Sequence, residues 1–148
     1  MITVDEMMSE SPVGLAADDT LEKALAVMAK YGYHHIPVVK NSDELIGLVS
    51  HRDVLGALDS TLSPESRVSP AEVTLGEIMI KDVFSVAPGT NLRQAALFIR
   101  SERYGCLPVV SDGKLVGIIT DSDFVNIAID LLEQLEATEP PEMDQLTG

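Results

Sequence analysis

Two patterns of apolar and polar positions alternate along the chain, and each occurs twice. After Asp19, apolar side chains recur at Leu21, Ala24, Leu25 and Met28; further on, Leu92, Ala95, Ala96 and Ile99 repeat the spacing. That period of three and four residues predicts two amphipathic helices. The other pattern is unbroken rather than periodic. HIPVV and LPVV are short apolar runs with a proline near the strand entry, where its missing N–H is tolerated. The turns NSDE and SDGK lead from them into LIGLVS and LVGIIT, β-branched runs that read as strands covered by helices on at least one face. VGLA and FSVA predict brief strands ahead of the helices. Thr3 with Glu6, and Thr74 with Glu77, have the spacing of a capping box and predict a short helical turn at each opening. Gly32 is placed to end the first helix, whereas Arg103 stands at the equivalent point of the second. A further helix follows each strand pair. The last runs from about Ser122 to Ala137, with Phe124, Ile127, Ala128, Leu131, Leu132 and Leu135 as its apolar stripe. The order strand–helix–strand–strand–helix predicts an α+β unit with a small three-stranded sheet.

The recurrence is a sequence repeat. Thr3, Glu6, Met8, Ala16, Leu21, Ala24, Tyr33, Pro37, Val38 and Val39 align with Thr74, Glu77, Met79, Ala87, Leu92, Ala95, Tyr104, Pro108, Val109 and Val110. After one gap near Ser42, Leu45, Gly47 and Asp53 align with Leu115, Gly117 and Asp123. The predicted division is a first repeat over 1–59, a connector over 60–72, a second repeat with an extended helix over 73–137, and an acidic tail over 138–148. A unit this small buries too little surface alone, so the two copies are expected to pack together about a pseudo-two-fold axis.

Composition narrows the function. The 148 residues carry a formal charge of −14, from 10 basic against 24 acidic side chains. That charge opposes nucleic acid and anionic membrane as partners, because no cationic field is available. A 45% apolar content and a mean hydropathy of +0.16 support a core. One cysteine excludes a disulfide framework and a cysteine zinc site. No apolar run reaches the length of a membrane span and MITVDEMMSE lacks signal-peptide character, so a soluble cytoplasmic protein is expected. No basic residue follows Lys114. The acidic C-terminal part reads either as a solvated face with a frayed end or as a partner surface.

The most pointed chemistry is the repeated G-x-x-[S/T]-x-x-D: Gly47, Ser50, Asp53 and Gly117, Thr120, Asp123. Each starts inside an apolar strand and ends in the first turn of a helix. Two readings stand side by side. Ser50 or Thr120 with a carboxylate three residues later is a helix cap that suits the helix dipole. The same geometry offers N–H groups and a hydroxyl to a phosphate, and a carboxylate to the two hydroxyls of a ribose. Other chemistries find less support. Adjacent His34 and His35 point to opposite faces of a strand, and with His51 they have no ligand at metal spacing, so no metal is expected. Cys106 reads as a small core or pocket-lining residue, and Met7, Met8 and Met79 as packing. Gly113 and Gly117 form no dinucleotide or P-loop fingerprint, and no hydrolase elbow occurs, so neither enzymatic activity nor a cofactor is expected.

VDEMM with LGEIM, VGLAADDTLEKAL with FSVAPGTNLRQAA, YGYHHIPVV with RYGCLPVV, and ELIGLVSHRDV with KLVGIITDSDF appear in the same order twice. This ordered set resembles the CBS domain, in the tandem arrangement often called a Bateman module. The resemblance implies two β-α-β-β-α units packed sheet to sheet and a regulatory, non-enzymatic role. It implies an adenosine ligand (AMP, ADP or ATP, alternatively S-adenosylmethionine or NADH) held in clefts between the repeats. Carried over, Asp53 and Asp123 would hold ribose; Ser50, His51, Arg52 and Thr120 would meet phosphate. His35, Ile36 and Pro37, with Cys106, Leu107 and Pro108, would line the adenine slots. Ala16, Ala17 and Thr20, with Ala87, Pro88 and Thr90, would close the clefts. The resemblance also implies a homodimer and an effector protein that reads a ligand-driven change of shape. The two sites are expected to differ, since SHRD provides Arg52 and His51 where TDSD provides Asp121 and Ser122. The alternative reading is a dimeric structural adaptor that binds no ligand and acts through its C-terminal helix.

Overall fold

The computed structural model describes residues 1–102 and 105–139. Arg103, Tyr104 and most of the acidic tail lie outside the described residues, so the expectations placed on them are not addressed. The first half contains α1 (Val4–Met7), β1 (Ser9–Glu10), α2 (Leu21–Tyr31), β2 (His35–Lys40), β3 (Glu44–Ser50) and α3 (His51–Leu62). The second contains α4 (Leu75–Ile78), α5 (Leu92–Glu102), β4 (Cys106–Ser111), β5 (Lys114–Thr120) and α6 (Asp121–Thr138). This is the expected α+β architecture. The brief strands expected at VGLA and FSVA reduce to isolated parallel bridges, Leu15 to Val38 and Val86 to Val109.

Two antiparallel hairpins, β2–β3 and β4–β5, form the frame, each with a register shift at the same point, Val38/Val39 and Val109/Val110. Their tips join where Glu44 pairs with Lys114 and the Leu115 N–H donates to the Asp43 carbonyl at 2.8 Å. Two apolar cores follow. Leu21, Ala24, Met28, Ile36, Val38, Val49 and Val54 fill one, and Leu92, Ala95, Leu107, Val109 and Ile119 the other. Gly32 ends α2 in the left-handed region at φ 71°, where a glycine carries no Cβ penalty.

Membership of the two cores does not follow chain order. Val4, from the first half, is fully buried in the second core, and Leu75, from the second half, in the first. The Val4 N–H donates to the Thr90 carbonyl at 2.8 Å and the Leu75 N–H to the Asp19 carbonyl at 2.9 Å. Each opening helix therefore docks on the opposite repeat. Both keep the predicted capping boxes, Thr3 with Glu6 and Thr74 with Glu77. The segments that follow continue the exchange: β1 pairs with β5, and Ile80 bridges to Leu48 of β3.

The motif glycines explain why this crossing fits. A Cβ on Gly47 would collide with the Met79 side chain, and one on Gly117 with Met8. The strand surface is bare where the partner repeat's methionine lies on it. Helix α3 runs three residues into the predicted connector, where the Ser60 and Thr61 hydroxyls donate back to the carbonyls of Gly56 and Leu58. Along α6, Phe124 and Ile127 pack on the second core, but Leu131, Leu132 and Leu135 are exposed.

Candidate functional site

The strand-to-helix junctions β3–α3 and β5–α6 are built alike. Ser50 Oγ accepts the Asp53 N–H at 3.1 Å, and Asp53 Oδ2 accepts the Ser50 N–H at 3.3 Å. Thr120 and Asp123 repeat this at 3.2 and 2.8 Å. The capping reading is thus realised in both copies. It uses one oxygen of each carboxylate and leaves the other for a further donor. The first N–H of each helix is tied to the other end of its hairpin, His51 to the His34 carbonyl at 2.7 Å and Asp121 to that of Gly105 at 3.0 Å.

Each junction faces a cleft. The first, about 900 Å³, is lined by Ser50, His51, Arg52 and Asp53, with His34, His35, Leu48 and Ile80, and with Gly105, Cys106 and Asp121 from the second repeat. The second, about 440 Å³, is lined by Thr120, Asp121, Ser122 and Asp123, with Tyr33, His34, His35 and Pro37 from the first repeat and the Ser9–Val13 segment. His34, His35 and Asp121 belong to both walls. Sequence reasoning missed Tyr33, the Ser9–Val13 segment, Leu48, Ile80 and Ile118. The signal for Leu48 and Ile118 was present: each stands two residues before the motif hydroxyl, on the same strand face.

Ser50, His51, Arg52, Asp53, His35 and Cys106 come together in the first cleft, and Thr120, Asp123, His35 and Pro37 in the second. Ile36 and Leu107 do not reach either. Both are fully buried in the two cores, because strand alternation turns them away from His35 and Cys106. Pro108 is fully buried as well and lines neither cleft. The six residues expected to close the clefts have another task. Carbonyls of Ala17 and Asp19 accept N–H groups of Gly76 and Leu75, and carbonyls of Pro88 and Thr90 accept those of Asp5 and Val4. Ala16 bonds Asp19, Thr20 caps α2 and bridges to Thr74, and the Thr90 N–H donates to the Ala87 carbonyl. These loops hold the crossing helices by satisfying first-turn donors that would otherwise lack partners.

Charge separates the clefts. Arg52 is exposed at the first, where it stands among Asp53, Asp59 and Asp121, and no described group bonds its backbone N–H. The lining of the second holds Glu10, Asp121 and Asp123 and neither lysine nor arginine. His35 is pushed toward its neutral form by burial, with Asp121 and Asp53 opposing and His34 assisting. Burial, reinforced by the Asp121 carboxylate, pushes the Cys106 thiol up to about 12. Among the described residues, no group of three or more His, Cys, Asp and Glu is placed to hold a metal ion, and no helix is long and apolar enough to cross a membrane.

Comparison with known proteins agrees with this geometry. The family model of the CBS domain matches twice, at residues 4–60 and 75–130. A CBS domain-containing protein of Dictyostelium discoideum is 31% identical over 137 residues, covering 89% of this chain and 94% of that protein. The inosine-5'-monophosphate dehydrogenase of Methanocaldococcus jannaschii is 31% identical over 122 residues, 82% of this chain, which spans only 22% of that enzyme. A protein of Methanocaldococcus jannaschii with no described function is 31% identical over 124 residues, and the chain spans 42% of its length. Among solved structures, a protein assigned to acetoin utilization (AcuB) from Vibrio cholerae is 44% identical with a TM-score of 0.80, covering 95% of this chain and 99% of that one. CBSX2, solved in complex with AMP, is 26% identical with a TM-score of 0.73, covering 88% and 98%. The twofold match, the crossed repeats and the paired G-x-x-[S/T]-x-x-D junctions place this chain in the CBS domain family, as a tandem pair of CBS repeats.

Proposed function

We propose that this chain is a ligand-sensing regulatory module that binds an adenosine nucleotide in the Ser50–Asp53 cleft. The observation that carries the reading is the junction itself: an exposed Arg52, an open N–H at the start of α3, and a carboxylate one turn away, all facing one cleft. A phosphate would take the Arg52 guanidinium, the open N–H and the Ser50 hydroxyl, where the positive end of the helix dipole favours an anion. The free oxygen of Asp53 would accept from ribose hydroxyls. The AMP complex of CBSX2 supports the adenosine class. Occupancy would alter how firmly the repeats hold together across the shared wall, and an effector protein would read that change. Two copies of the chain would associate into the working unit. The similarity to an acetoin utilization protein makes that process the first in which to seek the effector.

Calorimetric titration with AMP, ADP, ATP and S-adenosylmethionine, with and without Mg²⁺, tests the reading. Saturable micromolar binding that Asp53→Ala abolishes in a folded protein supports it. Silence to about 1 mM with all four ligands overturns it, since any binding would then be worth less than about 4 kcal/mol. The exposed Leu131, Leu132 and Leu135 on α6 favour a second reading, an adaptor that binds no ligand. Partner capture that depends on Leu131 and Leu135, without nucleotide binding, would establish it.

A further inference from the structure

The first turns of α3 and α6 differ in one detail that decides what each cleft accepts. In α6 every early N–H is already used. Asp121 donates to the Gly105 carbonyl at 3.0 Å, Asp123 to Thr120 Oγ1 at 3.2 Å, and Ser122 to the carboxylate Oδ1 of Asp121 itself at 2.8 Å. In α3 the residue equivalent to Ser122 is Arg52, whose N–H has no described partner, and the residue equivalent to Asp121 is His51.

We propose that the Asp121 carboxylate is a built-in anion that occupies the N-terminus of α6 and bars phosphate from the second cleft, so that this cleft selects an adenosyl ligand without a phosphate group. This rests on the reading of the clefts as adenosine sites. An incoming phosphate would have to displace a charge-assisted bond from the chain's own carboxylate. It would also meet Glu10 and Asp123, with neither lysine nor arginine in the lining to offset them. A neutral or cationic adenosyl compound meets none of these penalties. Its ribose retains Asp123, and its base has the partly exposed ring of Tyr33, stacked on Tyr31 on its other side, in the same wall. Asp121 thus acts as a specificity-determining residue. Because it also lines the first cleft, it sets the boundary between a phosphate-accepting and a phosphate-excluding compartment.

The test is stoichiometry by titration calorimetry with two probes, AMP and adenosine. The wild-type chain is expected to take up one AMP and, once saturated with it, still to bind adenosine. In Asp121→Ser a second AMP binds, at least about tenfold more tightly than any second event in the wild type, the scale of removing one ionic competitor. Adding Asp123→Ala removes that second AMP, which assigns it to the second cleft. Asp121→Asn keeps the shape and an acceptor for the Ser122 N–H while losing the charge; it gains AMP affinity in the same direction and serves if the serine variant folds poorly. Two AMP molecules in the wild type, or one AMP in both Asp121 variants, overturns the proposal while leaving the first cleft's reading intact. Failure of AMP to bind the wild type overturns the proposal, and silence with ADP, ATP and S-adenosylmethionine as well overturns the first cleft's reading too.

Discussion

The two strand-to-helix junctions are near copies in backbone and differ in charge, the first carrying a cation that the second lacks. Both place a hydroxyl and a carboxylate in a reciprocal cap, both tie the first helical N–H to the far end of a hairpin, and both lie beside a glycine covered by the other repeat's methionine. Only the two residues inside the cap differ, His51 and Arg52 against Asp121 and Ser122. The scaffold is symmetric because folding demands it, since caps and crossing helices satisfy the same donors twice. The freedom left to function is confined to side chains that the caps do not use. That division can be tested in both directions.

The largest effect should come from disturbing what the halves share. Valine suits a strand, so Gly47→Val and Gly117→Val act through what lies on each position: Met79 and the Ile80 backbone carbonyl at Gly47, Met8 alone at Gly117. Each is expected to cost about 1–3 kcal/mol, the usual penalty of overpacking. Urea denaturation should show a loss for both, the larger for Gly47→Val, and Met79→Ala or Met8→Ala should recover part of it in the matching background, more completely for Gly117→Val. No recovery in either background would mean that the methionines do not set the fit of the crossing.

A smaller and one-sided effect should follow from transplanting the difference. His51→Asp gives α3 the arrangement of α6, because the new carboxylate can accept the Arg52 N–H as Asp121 accepts that of Ser122. AMP affinity of the first cleft should fall by about tenfold or more, the scale of a bond to a charged group. Adenosine affinity should change little. Equal loss for both ligands would mean that the substitution damaged the cleft rather than its charge.

Much of this comparison was legible in the sequence. The repeat, the caps and the Arg52/Asp121 contrast are local features, and local spacing encodes them. The crossing of α1 and α4 was not legible, because a capping box states that a helix starts and says nothing about which core receives its apolar side. Nor was the task of 16–20 and 87–90 visible, since their carbonyls act through the backbone and carbonyls are the same at every residue. Ile36 and Leu107 are a different case. Strand alternation places them opposite His35 and Cys106, facing the cores, and the prolines that follow are buried too, so runs read as pocket walls are mostly core.

His35 and Cys106 occupy equivalent places in the two hairpins, and pH should separate them. Burial disfavours the charged imidazole of His35, so its folded-state value lies below its ordinary one, about 6.5. An unfolded chain then binds more protons than the folded one as the solution is acidified. The stability contributed by neutral His35 is present above pH of about 6.5 and is lost as pH falls through the folded-state value. His35→Cys copies the second hairpin and should flatten this part of the stability profile, as measured by thermal melts between pH 8 and 5. An unchanged slope would assign the acid sensitivity to other groups.

Cys106 itself should give the smallest change and the most direct view of the shared wall. The residue is 2% exposed and its thiol is pushed up to about 12, first by burial and then by Asp121. At pH 8 hardly any of the protein would carry the thiolate, the form that attacks disulfide reagents. Native protein should therefore react far more slowly than an ordinary cysteine, with full reactivity only on unfolding. Asp121→Asn removes the second cause and leaves the first, so reactivity should rise slightly and stay well below that of a free thiol. Rapid native reaction would mean that the repeats separate at this point often enough to wet the wall. The contrast between the clefts would then belong to a closed state that the protein leaves, and ligand selection would have to be explained by the opening rather than by the fixed charge of Asp121.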